Sequence, residues 1–313
     1  MGRHNDIKEE SFIDIFKRPE LSDRQWVNDL LSREGSRACE HNFASIYLWA
    51  TAYPQKIARV GDRLLVEMLG GPGLSHLFPM GSGPLAPALD TAKADAADHG
   101  APLTLICLTA EQKTQLEEEF HGRFTFQEDR DGFDYLYTVD KLADLAGKKL
   151  HAKRNHIHRF DEQFPDWLFE PIGPDNLAEC VEMEAKWYAE QVEAGRADAN
   201  LGHERDAVNT ALSHMEELGI SGGLIRAGGQ VVAFSLGSLT TADCYNVHFE
   251  KAYGEIQGAY AVINREMARW VRSTFPQVAY LNREDDMGLE GLRKAKLSYY
   301  PDILLKKYSA REV

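Results

Sequence analysis

The chain has 313 residues, of which 43% are hydrophobic and 27% are charged, and its formal net charge is -14 at pH 7. These values are typical of a soluble globular protein of about two domains. The acidic balance argues against duplex DNA as a partner, because non-specific binding to DNA needs a dominant basic surface. The four cysteines contain no C-x-x-C pair, which argues against a zinc ribbon or a redox dithiol.

The N-terminal segment and the hydropathy of the chain indicate where the protein resides. The sequence MGRHNDIKEESFIDIF is polar and lacks the apolar core of a secretory signal. No run of about 18 apolar residues is present, so we expect no transmembrane segment. These features predict a cytoplasmic protein with reduced thiols, and they leave its oligomeric state open.

The first half of the chain alternates helical and extended patterns. Apolar residues at helical spacing predict a helix over 22–34, and segment 45–69 runs from a helix into two alternating stretches around a Gly-Asp turn. The run 70–84, rich in Gly and Pro, is predicted to be irregular. Helices near 85–99 and 110–120 and strands at 103–108 and 134–139 follow.

The second half repeats this order. Helices are predicted near 174–194, 204–218, 261–275 and 289–299, and strands within 222–239 and at 243–252, 278–284 and 303–309. The order of elements is two helices, three antiparallel strands and a loop, followed by helix, strand, helix and strand. This order is the topology of the Gcn5-related N-acetyltransferase (GNAT) superfamily. We therefore predict an α/β (α+β) fold of tandem GNAT domains, each a mixed, mostly antiparallel sheet flanked by helices. The predicted units are residues 1–147, a basic junction helix at 148–164, and residues 165–313.

Three segments resemble a bacterial family related to the C-terminal domain of phosphatidylglycerol lysyltransferase. They are DYLYTVDKLADLAGKKLHAKRNHIHRF (134–160), VHFEKAYGEIQGAYAVINREMA (247–268) and YLNREDDMGLEGLRKAKLSYYPDILLKKY (280–308). That family is built from two acetyltransferase-like domains, and its relatives include the Fem-type aminoacyltransferases. The resemblance implies transfer of an aminoacyl group from an aminoacyl-tRNA donor to an amine or hydroxyl of a small molecule or lipid head group.

The loop before the predicted helix 261–275 departs from the acetyltransferase pattern. Enzymes that bind coenzyme A usually carry Arg or Gln, then Gly three residues later and Gly or Ala two beyond that, and backbone amides of this turn hold the pyrophosphate. Here Glu255, Gly258 and Tyr260 stand at these positions. A carboxylate disfavours the pyrophosphate and the tyrosine crowds it. Acyl-coenzyme A therefore stays an alternative donor, as does a non-catalytic module that binds an anionic ligand.

The predicted catalytic residues are His248, Glu250 and Tyr299. Strand alternation in NVHFEKA places His248 and Glu250 on one face, where either could remove a proton from an attacking amine. Tyr299 could protonate the leaving group, because a phenol has one donor and an ordinary pKa of about 10. The alternatives are a His and a Glu bonded within a polar cleft, and a tyrosine packed at a helix end.

The basic stretch KKLHAKRNHIHRF (148–160) supplies the predicted anion site. Lys149, Lys153 and Arg154 are predicted to face a cleft between the domains and to bind a phosphate or carboxylate, and Asn155 to bond a neighbouring backbone. The alternative is a solvated connector that pairs with nearby acids. The remaining predicted substrate-binding residues are Tyr260, Asn264, Asn282, Arg283 and Lys296. No metal site is predicted.

Overall fold

The computed structural model describes residues 15–70, 73–195 and 198–313. The strands of the first half are β1 (Gln55–Val60), β2 (Arg63–Gly70), β3 (Gly73–Leu77), β4 (Met80–Gly81), β5 (Thr104–Leu108), β6 (Phe124–Glu128) and β7 (Asp134–Thr138). Those of the second half are β8 (Leu168–Pro171), β9 (Ser221–Ala227), β10 (Gln230–Thr241), β11 (Cys244–Ala252), β12 (Tyr280–Asn282), β13 (Ile303–Leu305) and β14 (Tyr308–Glu312). The helices are α1 (Arg24–Glu34), α2 (Phe43–Trp49), α3 (Ala86–Asp98), α4 (Ala110–Glu119), α5 (Val139–Asp144), α6 (His151–Gln163), α7 (Leu177–Glu193), α8 (Ala199–Ser213), α9 (Met215–Leu218), α10 (Ala259–Thr274) and α11 (Glu290–Leu297).

Two seven-stranded sheets organise the described residues. The first has the order β1-β2-β3-β5-β14-β6, with β4 beside β2, and the second has the order β13-β7-β12-β11-β10-β9-β8. Each sheet is mostly antiparallel, and the parallel pairs are β3 with β5 and β11 with β12. The predicted class of mixed, mostly antiparallel sheets flanked by helices is therefore confirmed.

Two strands pair outside the half of the chain that contains them. β7 lies before residue 147 but pairs with β12 and β13 of the second sheet. β14 lies at the end of the chain but fills the place between β5 and β6 in the first sheet. The strand predicted at 303–309 is thus two strands in two sheets, because its extended pattern continues while its pairing partner changes. The domain division at 147 and 165 stays a prediction.

The Gly- and Pro-rich run 70–84 was predicted to be irregular, and this is wrong for part of it. β3 pairs with β2 on one side and with β5 on the other, and β4 pairs with β2. Pairing within a sheet overrides weak local propensity for strand structure. Strand β6, which the sequence patterns did not reveal, is likewise held by β14.

The hydrophobic core joins the two sheets. One cluster lies beneath α3 and α4 on the first sheet, and another lies between the second sheet and helices α5, α6 and α10. A third contains side chains from α1, α2, β1 and β2 together with α7, α8 and β9 to β11. This shared core packs both halves of the chain against each other. No helix within the described ranges is long and apolar enough to cross a bilayer.

Glu184 of α7 makes stability depend on pH. Its side chain is 1% exposed, and neither carboxylate oxygen has a hydrogen-bond partner among the described residues. Burial raises the pKa of Glu184 to about 7, above the unfolded value of about 4.3. The folded state therefore holds this proton more tightly than the unfolded state does. The contribution of protonated Glu184 to the free energy of unfolding is complete below the unfolded pKa and is lost as pH rises through the folded pKa.

We expect Glu184→Gln to raise the free energy of unfolding at pH 8 by about 3–4 kcal/mol and to have little effect at pH 4. Urea denaturation at both pH values measures the difference. Glu182→Gln is the matched control, because Glu182 lies on the same helix with an exposed side chain. An effect of Glu184→Gln that is equal at the two pH values would contradict this explanation.

Candidate functional site

The second sheet opens at its centre, where β11 and β12 part. The two strands pair only between residues 244–246 and 280–282, and β11 then continues to residue 252 while the chain after β12 enters the loop 283–289. On the other side of β11, Leu236 faces Phe249 and Gly237 faces Val247. His248 therefore has no opposite residue and forms a β-bulge, a feature that redirects side chains.

The bulge separates the two predicted bases. Val247 packs in the core beneath α10, whereas Phe249 joins the core shared by both sheets. His248 contacts Ser238 on the side of α2, and Glu250 faces α10, where Asn264 bonds to it. The prediction that His248 and Glu250 share one face is therefore wrong, because regular alternation stops at the bulge.

Glu250 is held by two donors from different elements. The Arg283 Nη2 atom lies 2.9 Å from Glu250 Oε1, and the Asn264 Nδ2 atom lies 3.1 Å from Glu250 Oε2. The Arg283 guanidinium also has an Nη1 atom that is buried and has no hydrogen-bond partner among the described residues. Because leaving a buried donor unpaired is costly, this atom is poised to bind an oxygen of a ligand.

Lys153 and Tyr299 complete this group of residues, the Glu250 cluster (Lys153, Glu250, Asn264, Arg283 and Tyr299). The Lys153 ammonium lies 3.9 Å from the centre of the Tyr299 ring, and the Arg283 guanidinium lies 5.1 Å from it. Lys153 is half-buried and has no hydrogen-bond acceptor in the part of the chain that the structure describes. Burial, followed by the charge of Arg283, lowers the pKa of Lys153. Two cations with free donors thus lie beside one carboxylate.

Asn282 and Lys296 support the loop beside the cluster. Asn282 donates to Asp134 over 2.8 Å, and its oxygen accepts the backbone N–H of Glu284 over 2.7 Å. That contact holds Glu284 at a φ of 55°, in the left-handed region. The Lys296 ammonium donates to the backbone oxygens of Arg283 and Asp285. Lys296 is therefore occupied by the loop, and Asn282 by the loop together with Asp134 and the Arg37 backbone. Their predicted roles in substrate binding stay predictions.

The other predicted binding residues lie outside the cluster. Arg154 donates to the backbone oxygens of Leu145 and Gly147, so its side chain stabilises the turn after α5. The remaining three side chains are exposed. Lys149 lies over the ring of Tyr300, Asn155 contacts His151, and Tyr260 is 41% exposed. Of the basic stretch, the structure brings Lys153 into the cluster.

Helix α6 packs against the N-terminus of α10. Gly258 precedes α10 with a φ of 90°, and a Cβ atom at this position would lie 2.3 Å from the backbone oxygen of His156. Ile157 and Phe160 of α6 are buried in the same core as α10. The place where acetyltransferases bind a pyrophosphate is thus approached closely by a helix of this chain.

Comparisons with known proteins agree with this geometry. The family model for the C-terminal domain of phosphatidylglycerol lysyltransferase matches residues 32–311. The chain belongs to this family. A conserved protein of unknown function from Bacteroides thetaiotaomicron VPI-5482 is 37% identical, with a TM-score of 0.88 over 95% of this chain and 99% of that one. The resemblance of the three sequence segments is therefore confirmed.

More distant structures show the fold of this family. L-PGS from Bacillus licheniformis is 16% identical and has a TM-score of 0.65 over 96% of this chain and 94% of that chain. A tandem GNAT protein from the clavulanic acid biosynthesis pathway is 11% identical and has a TM-score of 0.50 over 95% of this chain and 98% of that chain. The predicted tandem GNAT fold is therefore confirmed.

One curated relative matches part of the chain. The protein MYCGA3080 of Mycoplasmoides gallisepticum is 24% identical over 190 residues, which cover 58% of this chain and 56% of the relative. The chain thus matches little more than half of that relative's length. Family membership relates the chain to transferases of the phosphatidylglycerol lysyltransferase type.

This family member also contains a buried ionic cluster that the sequence patterns did not reveal. Ligand atoms of Cys39, Glu40 and Asp134 lie within 4.8 Å of one another, a spacing that could suit a metal ion. The ammonium of Lys307 already fills this position, 3.1 Å from Asp134 and bonded to Glu40. Lys307 lies in the connection between β13 and β14, and its ammonium neutralises the carboxylates of Glu40 and Asp134.

Proposed function

We propose that the chain transfers an aminoacyl group from an aminoacyl-tRNA-type ester to an amine or hydroxyl acceptor at the Glu250 cluster. Family membership supports the reaction class. The observation that carries the proposal is the free, buried Nη1 donor of Arg283 beside an ordered carboxylate and a second cation, Lys153. These groups match the charges that develop when an ester carbonyl is attacked.

The cluster contains a base and two donors for this reaction. As the acceptor attacks the ester carbonyl carbon, Glu250 takes the proton that the amine or hydroxyl loses. The carbonyl oxygen gains negative charge, which Arg283 Nη1 and the Lys153 ammonium stabilise by hydrogen bonds. When the bond to the ribose oxygen breaks, Lys153 donates a proton to that oxygen. Its lowered pKa makes it a readier proton donor than an ordinary lysine.

Tyr299 takes a different role from the predicted one. Burial raises the pKa of Tyr299, so the phenol holds its proton more tightly than in water. Its ring lies beneath both cations of the cluster. An aromatic face attracts a nearby cation, especially when the cation is partly desolvated. In this proposal Tyr299 orients Lys153 and Arg283, and it does not protonate the leaving group.

The packing of α6 supports a tRNA ester over coenzyme A as the donor. A pyrophosphate at the N-terminus of α10 would have to share space with the His156 backbone and the Phe160 side chain, which approach Gly258. Glu255 in the same loop adds a like charge. The acceptor remains an amine or hydroxyl of a small molecule or a lipid head group.

Lys153→Ala should lower the rate of transfer by at least about 100-fold, because it removes one stabilising donor of the oxyanion. The measurement uses bulk tRNA charged with ¹⁴C-labelled amino acids, a cell extract as the acceptor source, and separation of products by organic extraction. Arg159→Ala is the matched control, since Arg159 is an exposed cation on the same helix. Equal rates for the two variants would contradict the role of Lys153.

A non-catalytic module for an anionic ligand is the second candidate, and the same free donors favour it. It predicts binding that depends on Lys153 and Arg283 without turnover of any donor. Label that leaves tRNA and enters a new covalent product excludes this candidate.

A further inference from the structure

A second polar cluster lies on the opposite face of β11 from the Glu250 cluster. Ser238 of β10, His248 of the bulge and Glu284 after β12 form a chain of contacts, and Asn42 at the start of α2 adjoins Ser238. Ser238 is 4% exposed and His248 is 8% exposed. Ser238 and Asn42 both line a cavity of 250 Å³. Helix α1 also contributes to the lining of this cavity.

The backbone of α2 fixes the orientation of the Asn42 amide in this cluster. Asn42 Oδ1 accepts the backbone N–H of Ala44 over 2.8 Å, so the Asn42 Nδ2 group points at Ser238 Oγ, also 2.8 Å away. The Ser238 hydroxyl therefore accepts from Asn42 and directs its single proton to His248 Nε2, 2.8 Å away. The other ring nitrogen, His248 Nδ1, lies 3.3 Å from Glu284 Oε1 and 3.0 Å from Asn246 Nδ2, which itself donates to Glu284 Oε1 over 2.7 Å. The tautomer in which Ser238 donates to Nε2 carries the ring proton on Nδ1, where Glu284 is its acceptor.

We propose that Ser238 is a nucleophile that His248 activates, and that the chain cleaves esters of small carboxylic acids in this cavity. A hydroxyl bonded to an unprotonated imidazole nitrogen, whose other nitrogen faces a carboxylate, is the arrangement of serine acyl-transfer enzymes. Asn42 and Glu284 are positioning residues, because each acts through its neighbour. Neither family membership nor the proposed aminoacyl transfer requires a nucleophilic serine.

The chemical steps balance without a cofactor. Ser238 Oγ forms a bond to the ester carbonyl carbon and its proton moves to His248 Nε2. The carbon–oxygen bond to the alcohol breaks, and the alcohol leaves with the proton from His248. Water then attacks the acyl-serine and gives a proton to His248, which returns it to Ser238 as the acid departs. The net reaction converts an ester and water into a carboxylic acid and an alcohol.

The cavity sets the size of the substrate and supplies donors for the oxyanion. Its volume of 250 Å³ lies below the range of about 300–1,000 Å³ of drug-sized sites. Asn28 of α1 lines the same cavity and carries an amide N–H group, whereas Arg24 Nη1, also at this cavity, already donates to the backbone oxygens of Glu216 and Glu217. N–H donors of this kind stabilise the negative charge of a tetrahedral intermediate. These features fit a short acyl group.

The test is covalent labelling by a fluorophosphonate probe, with the modified residue mapped by mass spectrometry. We expect the probe to modify Ser238, and Ser238→Ala to lose this label. Hydrolysis of 4-nitrophenyl acetate should fall at least about 100-fold in Ser238→Ala. Ser235→Ala is the matched control, because Ser235 is a buried serine of the same strand whose hydroxyl has no hydrogen-bond partner among the described residues. Absence of label on Ser238 in the folded wild-type protein would overturn the proposal.

Ser238→Cys gives a second readout that does not need an ester substrate. Beside His248 the introduced thiol should react with a disulfide reagent with an apparent pKa below the ordinary value of about 8.5. Burial raises the pKa of Cys180 and Cys244 to about 12, so the native thiols should give a slow background. Glu284→Gln should move the pH profile of the introduced thiol upward. An apparent thiol pKa near 8.5 that Glu284→Gln leaves unchanged would overturn the roles of His248 and Glu284.

The outcome is separable from that of the proposed aminoacyl transfer. The second cluster uses none of the side chains of the Glu250 cluster and faces the other side of β11. Loss of probe labelling in Ser238→Ala with transfer from charged tRNA retained would support two independent sites.

Discussion

Arg283→Ala should abolish measurable aminoacyl transfer and also destabilise the protein. The change removes the free Nη1 donor and the Nη2 partner of Glu250 in one step. Loss of one oxyanion donor alone costs about 100- to 1,000-fold in kcat. Because the base would also lose its partner, we expect a fall of more than about 1,000-fold.

The stability effect follows from the burial of Glu250. The side chains of Arg283 and Glu250 are 13% and 12% exposed, so the carboxylate would be left nearly buried and without its cation. Removing one partner of a buried ion pair costs about 3–5 kcal/mol, and the residual exposure places the expected loss near about 3 kcal/mol. Urea denaturation measures this loss, and steady-state transfer from charged tRNA measures the catalytic effect.

Arg283→Lys separates the two effects. Lysine keeps the positive charge beside Glu250 but lacks the planar fork that offers two directed donors. We expect this variant to recover most of the stability and little of the activity. Wild-type transfer rates in Arg283→Lys would show that charge alone is sufficient and would contradict the role of the Nη1 donor.

Lys307→Met should destabilise the fold more than any surface substitution. Lys307 and Asp134 are both 0% exposed, and the ammonium is the cation that neutralises Asp134 and Glu40. Without it, two carboxylates between the sheets have no counter-charge. The expected loss is about 3–5 kcal/mol, a large part of a total stability of about 5–15 kcal/mol. Urea denaturation measures this loss.

The neighbouring residue provides a matched control. Lys306 is 54% exposed and pairs with Glu128 at the surface, so Lys306→Met should change stability by less than about 0.5 kcal/mol. Adding Asp134→Asn to Lys307→Met should recover part of the loss, with a coupling energy above about 1 kcal/mol. Additive effects of the two substitutions would contradict a direct ionic interaction.

The charges around Lys307 also determine how its contribution to the free energy of unfolding depends on pH. Burial opposes the charge of Lys307, but the Asp134 and Glu40 carboxylates raise its pKa well above the usual value. A raised folded pKa means that the stabilisation is fully present below the unfolded pKa of about 10.4 and is lost only as pH rises beyond it. The difference between wild type and Lys307→Met should therefore be constant from pH 6 to 9.

The sequence patterns predicted those elements whose periodicity reflects burial on one face. Helix α10 and the hairpin of β1 and β2 lie where alternation and helical spacing indicated. The sequence patterns did not predict that β7 pairs in the second sheet and β14 in the first, because the pattern of a strand does not specify which strand it pairs with. The strands in the Gly- and Pro-rich run exist through tertiary pairing, which local propensity does not encode.

The sequence predicted most of the residues of the candidate site but not how they are arranged in space. Glu250, Arg283, Tyr299 and Lys153 were all named from the sequence, and the fold brings them together. The separation of His248 from Glu250 depends on a single bulge, which adds one residue to β11 opposite β10. No local signal in NVHFEKA marks this bulge, so alternation predicted the wrong face.

The most direct test of aminoacyl transfer at the Glu250 cluster is a donor comparison under single-turnover conditions. Bulk tRNA charged with ¹⁴C-labelled amino acids and ¹⁴C-labelled acetyl-coenzyme A are each supplied to wild type and to Arg283→Lys with the same extract as acceptor. We predict that label moves from charged tRNA to a new product with wild type, at least about 100-fold more slowly with Arg283→Lys, and that none moves from acetyl-coenzyme A. Transfer from acetyl-coenzyme A alone, or equal transfer from tRNA by both proteins, would contradict this account.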